Sequence, residues 1–117
     1  ITLEVAAVPM PFDIDTAIPC GLILNELVTN AIKYAFPDSR RGVVRIGLSI
    51  LPPSGFVLAV SDNGVGLPPG MDPASVESLG LSLVHLLSQQ LGGTVEFTSG
   101  RGLTVRLTVE SRRKKPR

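Results

Sequence analysis

Val43-Val44-Arg45-Ile46-Gly47-Leu48-Ser49-Ile50-Leu51-Pro52-Pro53-Ser54-Gly55-Phe56-Val57-Leu58-Ala59-Val60-Ser61 reads as two strands and the turn that joins them. Val44, Ile46, Leu48 and Ile50 alternate with Arg45, Gly47 and Ser49, the period of a half-buried strand. Pro52-Pro53-Ser54-Gly55 is turn chemistry. Phe56 to Ser61 is apolar on both sides of the pleat, which predicts a central strand. Strands joined by so short a turn run antiparallel, because parallel neighbours need a long crossover. A doubly wound parallel sheet is thereby excluded.

Outward from this hairpin the same reasoning applies. Val95 and Phe97, then Leu103, Val105, Leu107 and Val109, alternate as two strands joined through Ser99-Gly100-Arg101-Gly102, a second hairpin. Upstream, residues 2–8 alternate with Leu3, Val5 and Ala7 on one side, which predicts another half-buried strand. Two stretches have helical periodicity instead. The first runs from Asp15 to Phe36, with Asp15 or Thr16 as cap, Pro19 in the first turn and Pro37 at the exit. The second runs from Leu79 to Leu91, with Leu79, Leu83, Leu86, Leu87 and Leu91 on its apolar side and Gly92-Gly93 ending it. The order strand, helix, strand, strand, helix, strand, strand predicts an α/β (α+β) two-layer sandwich. Its sheet is mixed and largely antiparallel, with both helices on one face.

Composition narrows the chemistry. A chain of 117 residues with 44% hydrophobic and 18% charged residues has room for one core and is not disordered by composition. No apolar run approaches the roughly 20 residues of a membrane span, and Ile1 opens into a patterned strand rather than a signal peptide. One cysteine, Cys20, excludes an internal disulfide framework and a cysteine metal cluster. One histidine, His85, has only Ser82 and Gln89 as polar company on its helix and reads as a structural residue. The net charge of +1 conceals a division: 5 of the 11 bases lie in residues 112–117, and the remainder sets 6 bases against 10 acids. Residues 1–110 are the expected domain and 111–117 a basic, solvated, disordered tail. A nucleic-acid partner is not expected, because only the tail is basic.

Three features carry chemistry. On the first helix, Leu24, Val28, Ala31, Ile32 and Ala35 form the expected core face, while Glu26, Thr29, Asn30 and Lys33 face away from it. Glu26 and Asn30 are four apart and point into the same space. An Asn30 oxygen can ligate Mg²⁺, Glu26 can orient or deprotonate a nucleophile, and Lys33 adds positive charge for a phosphate. The plainer alternative is an amphipathic helix with a solvated polar face. The second feature is Asp62-Asn63-Gly64-Val65-Gly66, where the central strand ends. Asn-Gly suits a tight hairpin, but Leu67-Pro68-Pro69-Gly70 follows instead of a strand. The glycines then fit backbone passing close to a ligand, with Asp62 placed to accept hydrogen bonds. The third is Gly80, at a helix start suited to phosphate oxygens, preceded by residues 64–78, whose length suits a lid over a ligand.

Together these stretches resemble a known pattern. Leu22-Ile23-Leu24-Asn25-Glu26-Leu27-Val28-Thr29-Asn30-Ala31-Ile32-Lys33-Tyr34-Ala35-Phe36-Pro37 resembles the N box of the GHKL ATP-binding superfamily, particularly sensor histidine kinases of the HWE-like group. The lead-in Asp15-Thr16-Ala17-Ile18-Pro19 is similar as well. Asp62-Asn63-Gly64-Val65-Gly66 resembles their first glycine box, Ser78-Leu79-Gly80-Leu81-Ser82-Leu83-Val84 the second, and Gly102-Leu103-Thr104-Val105 the terminal Gly-Thr strand. The boxes occur in order and span nearly the whole chain up to Val109.

The resemblance implies a Bergerat-type fold that binds ATP between the two helices. It implies that Asn30 ligates Mg²⁺, Lys33 faces the phosphates and Tyr34 sits against the nucleotide. Asp62 would accept a hydrogen bond from the adenine amine, with Thr104 supporting Asp62. Gly64, Gly66, Gly80 and Leu81 would frame the pocket and lid. Glu26 matches the water-activating carboxylate of related ATPases and is the expected catalytic residue. The second glycine box has a single glycine, Gly80, and the lid lacks a phenylalanine motif, so its closure does not follow from better-known members. The implied function is the ATP-binding catalytic domain of a two-component sensor histidine kinase, acting in the bacterial cytoplasm or as the cytoplasmic part of a membrane-tethered sensor. Its implied partners are a dimerisation domain carrying the phosphoacceptor histidine and a response-regulator receiver domain. Two alternatives stay open: an anti-sigma-factor-type serine kinase and a non-catalytic interaction module of the same fold.

Overall fold

Five strands in the order β1-β2-β3-β5-β4 form one sheet in the computed structural model, which describes residues 1–9, 11–35, 41–65 and 81–110, with only the backbone of Tyr34 and Ala35. The strands are β1 (Thr2–Ala7), β2 (Val43–Leu51), β3 (Gly55–Asp62), β4 (Thr94–Gly100) and β5 (Gly102–Val109). β1 runs parallel to β2, and every other neighbour is antiparallel. The expected mixed sheet is therefore present, and Phe56–Ser61 lies in its central strand. The helices are α1 (Ile14–Asn30), continued by a π-helical turn (Ala31–Ala35), and α2 (Leu81–Gln90).

Both helices pack on one face of the sheet and against each other, as the two-layer reading requires. Val44, Phe56, Leu58, Val60, Val105, Leu107 and Val109 point into the layer between, where they meet Ile23, Leu27, Leu81, Val84 and Leu87. Phe56 is wholly enclosed and stacks obliquely on Phe12, with ring centroids 4.8 Å apart. Enclosing a side chain of this size contributes roughly 1.5–3 kcal/mol. Gly55 and Gly93 sit where a Cβ would strike β5, so the strand starts are drawn tightly together.

Several local expectations need correction. α1 starts earlier than Asp15 or Thr16: Asp13 is the cap, its Oδ1 accepting the Thr16 N–H at 2.9 Å. Pro19 therefore lies past the first turn, where its missing N–H leaves the Asp15 carbonyl without a helical donor. The buried stripe of α1 is Cys20, Ile23, Leu27 and Ala31; Leu24 and Val28 only border it, and Ile32 faces out. The π-helical turn contributes, because its i→i+5 pattern breaks the 100° step on which the expected face depends. On α2 the buried line is Leu81, Val84 and Leu87, while Leu83 and Leu86 face solvent. Leu79 lies outside the described residues. β1 is exposed at all six positions, because it is an edge strand beyond the reach of the helices. The end of α2 agrees with expectation: Gly92 has φ +70° and Gly93 N–H donates to the Ser88 carbonyl at 2.9 Å.

Candidate functional site

The site begins where β3 stops. Asp62 makes the last backbone pair with β2, opposite Val44, while the last pair with β5 is Ser61 opposite Thr104. Strand alternation puts Asp62 on the same face as Val60, under the helices. Its half-buried carboxylate is held through one oxygen: Oδ1 accepts the Gly64 N–H at 2.9 Å and the Leu103 N–H at 3.3 Å. The first bond closes a side-chain turn of the kind Asp forms with the residue two places on. It brings buried Gly64 back over the strand end. Asn63 ties the same end to β2, donating its N–H to the Val43 carbonyl at 3.2 Å and accepting the Val43 N–H at Oδ1 at 2.8 Å.

Gly102 completes this cradle. Its φ is +118°, and a Cβ would overlap the Asp62 carbonyl oxygen. Asp62, Gly64, Gly102 and Leu103 are thus brought together by direct contact. Sequence reasoning placed Gly102 in a hairpin turn and did not connect it to Asp62. A two-residue count back from Val105 would have put the Leu103 position opposite Asp62.

The expected support of Asp62 by Thr104 needs correction. Thr104 pairs with Ser61, one residue out of step with Asp62, so its side chain projects from the other face of the sheet. Arg106 and Ala59, the next pair along on that face, line a shallow outer groove with Ala6 and Gly47. The support from β5 is the Leu103 backbone N–H instead.

On α1, Glu26 and Asn30 lie one turn apart and both are half-buried beside the enclosed Ile23–Leu27 line. They therefore border the core face rather than oppose it. Lys33 is exposed on the π-helical turn, which contacts both β3 and β5. Leu81, at the start of α2, is buried in the cluster that also contains Leu27, Ala31 and Val60. The C-terminal end of α1, the sheet and the start of α2 thus share one packed core. Gly66, Gly80, the remainder of the expected lid and the side chain of Tyr34 lie outside the described residues, as does the tail 111–117.

Two further reactive groups lie apart from this strand end, and one of them, His85, has its Nε2 enclosed without a hydrogen-bond partner among the described residues. His85 is half-buried with its ring 5.5 Å from that of Phe97. Burial pushes the Cys20 thiol up to about 11, so it stays protonated and unreactive near neutrality. Among the described residues no group of three or more His, Cys, Asp or Glu side chains is placed to hold a metal ion.

A carboxylate at a strand end, glycines on both sides of it and a Glu/Asn pair on the adjoining helix thus lie at one end of the same packed core. A model of the "Histidine kinase-, DNA gyrase B-, and HSP90-like ATPase" family matches residues 16–113. The chain belongs to this ATPase family. Its relatives include blue-light-activated histidine kinase 2 of Erythrobacter litoralis, 33% identical over 100 residues, covering 86% of this chain and 29% of the relative. The sensor histidine kinase PdtaS of Mycobacterium tuberculosis is 35% identical over 91 residues, covering 76% of this chain and 18% of that protein. Among solved structures, the Erythrobacter litoralis EL346 blue-light activated histidine kinase superposes with a TM-score of 0.90 at 31% identity, covering 97% of this chain and 36% of that one. The chain therefore spans less than a third of the curated relatives it matches. The expected fold stands: this is a histidine kinase-type ATPase domain, and the nucleotide its family takes is ATP.

The described residues fit an ATPase site in which the nucleotide's own phosphates supply most of the oxygens around a cation. Mg²⁺ is commonly bound by one or two protein groups plus phosphates and waters rather than by a protein cage. The donor set at the α1 end, one amide oxygen and one carboxylate, has that character.

Proposed function

We propose that this domain is the ATP-binding catalytic part of a two-component sensor histidine kinase. In this reading it presents Mg-ATP to a histidine carried on a separate dimerisation and phosphoacceptor domain. The γ-phosphoryl group passes from the β,γ-bridging oxygen to an imidazole nitrogen, leaving ADP, and then to an aspartate of a response-regulator receiver domain. No helix among the described residues is long and apolar enough to cross a membrane. A cytoplasmic setting, free or as part of a membrane-tethered sensor, belongs to the same proposal.

The observation that carries the reading is the Asp62 carboxylate. Two backbone N–H groups fix Oδ1, and in this reading Oδ2 accepts the adenine amine. Asn30 is assigned to Mg²⁺, Lys33 to the phosphates and Tyr34 to the nucleotide. Gly64, Gly66, Gly80 and Leu81 frame the pocket, and Glu26 orients the reacting groups. The domain's catalytic contribution is positioning and charge neutralisation, the principal means by which phosphoryl transfer is accelerated.

Calorimetric titration of Mg-ATP into the chain and into Asp62→Asn tests this. Loss of a charged acceptor costs roughly 1.5–3 kcal/mol, so affinity should fall about 10- to 150-fold. Equal binding by the two proteins, or none by the folded wild type, would defeat the assignment. Acid lability of the product formed with the acceptor domain separates phosphohistidine from the acid-stable phosphoserine of a serine kinase.

A further inference from the structure

We infer that Asn63 is a positioning residue for Asp62 in the choice of base, an inference that rests on the nucleotide-site reading above. The strand register between β3 and β2 ends at Asp62, opposite Val44, and one further main-chain bond follows at Asn63. One residue later the chain bends, and Asn63 ties it to β2 through both polar groups of Val43. The Asn63 N–H donates to the Val43 carbonyl at 3.2 Å. The Val43 N–H, which a continuing strand would have met with a main-chain carbonyl, donates to the Asn63 side-chain oxygen at 2.8 Å. The amide thus stands in for backbone and leaves the peptide plane after Asn63 able to rotate. That rotation is what returns the Gly64 N–H to Asp62 Oδ1 at 2.9 Å.

The opposite flank is secured in a similar way, by the Leu103 N–H on the same oxygen at 3.3 Å. Asp62 accordingly sits in the middle of a strand end fastened on both sides, by Asn63 to β2 and by its own carboxylate to β5. With Oδ1 committed, Oδ2 faces the base in one orientation. An exocyclic amine donates to it, whereas the 6-oxo group of guanine presents a second acceptor and is repelled. Asn63 itself is exposed, so its side chain is retained here by hydrogen bonding and not by packing. Aspartate at this position keeps an oxygen for the Val43 N–H; alanine removes it, and serine is too short to reach.

The test is titration of Mg-ATP and Mg-GTP into the wild-type chain, Asn63→Ala, Asn63→Ser, Asn63→Asp and Asp62→Asn, each with its thermal unfolding curve. Loss of one hydrogen bond of about 1 kcal/mol corresponds to roughly fivefold in affinity. Asn63→Ala and Asn63→Ser should weaken ATP by about that factor, leave GTP unchanged and so narrow the ATP/GTP ratio, while Asn63→Asp restores it. A purely structural Asn63 would lower the unfolding temperature and weaken both nucleotides alike, and that result overturns the inference. Wild-type ATP affinity and selectivity in Asn63→Ala, alongside weakened binding in Asp62→Asn, also overturns it while leaving the nucleotide site standing. Equal ATP binding by wild type and Asp62→Asn would remove both.

Discussion

Gly102 lies directly against the backbone of Asp62, so closely that a Cβ at position 102 would overlap the Asp62 carbonyl oxygen. The contact joins the start of β5 to the end of β3 and sets the height at which the Leu103 N–H meets the Asp62 carboxylate. The hairpin turn at Gly102 and the Asp62 carboxylate are therefore one structural unit.

Gly102→Ala should separate the two strands locally. The new methyl group collides with backbone, and a φ of +118° is strained for any L side chain. Strain and overpacking each cost about 1–3 kcal/mol, so a loss of roughly 2–6 kcal/mol should appear as a lower denaturation midpoint at unchanged slope. ATP affinity should fall with it, because the Leu103 N–H moves away from Oδ1.

Thr104→Val should leave ATP affinity at the wild-type value. The side chain leaves the sheet on the face opposite Asp62, and a β-branched replacement suits the strand. A loss of affinity comparable to that of Asp62→Asn, measured in the same titration, would restore Thr104 to the site.

Asp13→Ala should cost about 1 kcal/mol of stability through loss of the α1 cap, with little change in nucleotide affinity. Asp15→Ala removes only a first-turn charge and should cost less, roughly 0.3–1 kcal/mol. Paired urea denaturation curves for the two variants distinguish the observed cap from the one the sequence suggested.

Legibility followed the length and regularity of each signal. Phe56–Ser61 announced a central strand because apolar groups on both sides of a pleat have few other uses, and β3 lies between β2 and β5. Asp62 and Gly64 stood out because no strand followed them, and the structure joins the two by a hydrogen bond. What escaped was a matter of phase. A helical wheel started from Leu24 rotates the buried stripe away from Cys20, Ile23 and Leu27, and the π-helical turn adds to the error. A one-residue slip along β5 exchanges the two faces of the sheet, which is why Thr104 was expected where the Leu103 N–H is found. β1 alternates as a half-buried strand should, yet nothing in its own sequence says how far the helices reach.

That uncovered border strand bears on how the domain behaves in concentrated solution. Leu3 and Val5 are 52% and 66% exposed, on a short edge strand. Such borders are templates for strand-by-strand growth unless a charge interrupts them. Along Thr2–Ala7 the interrupting charge is Glu4, and its carboxylate is held outward by Arg45 Nε at 2.7 Å. As an exposed ion pair it adds little to folding stability. Its weight falls instead on colloidal behaviour, where one carboxylate acts as gatekeeper for an entire sheet margin.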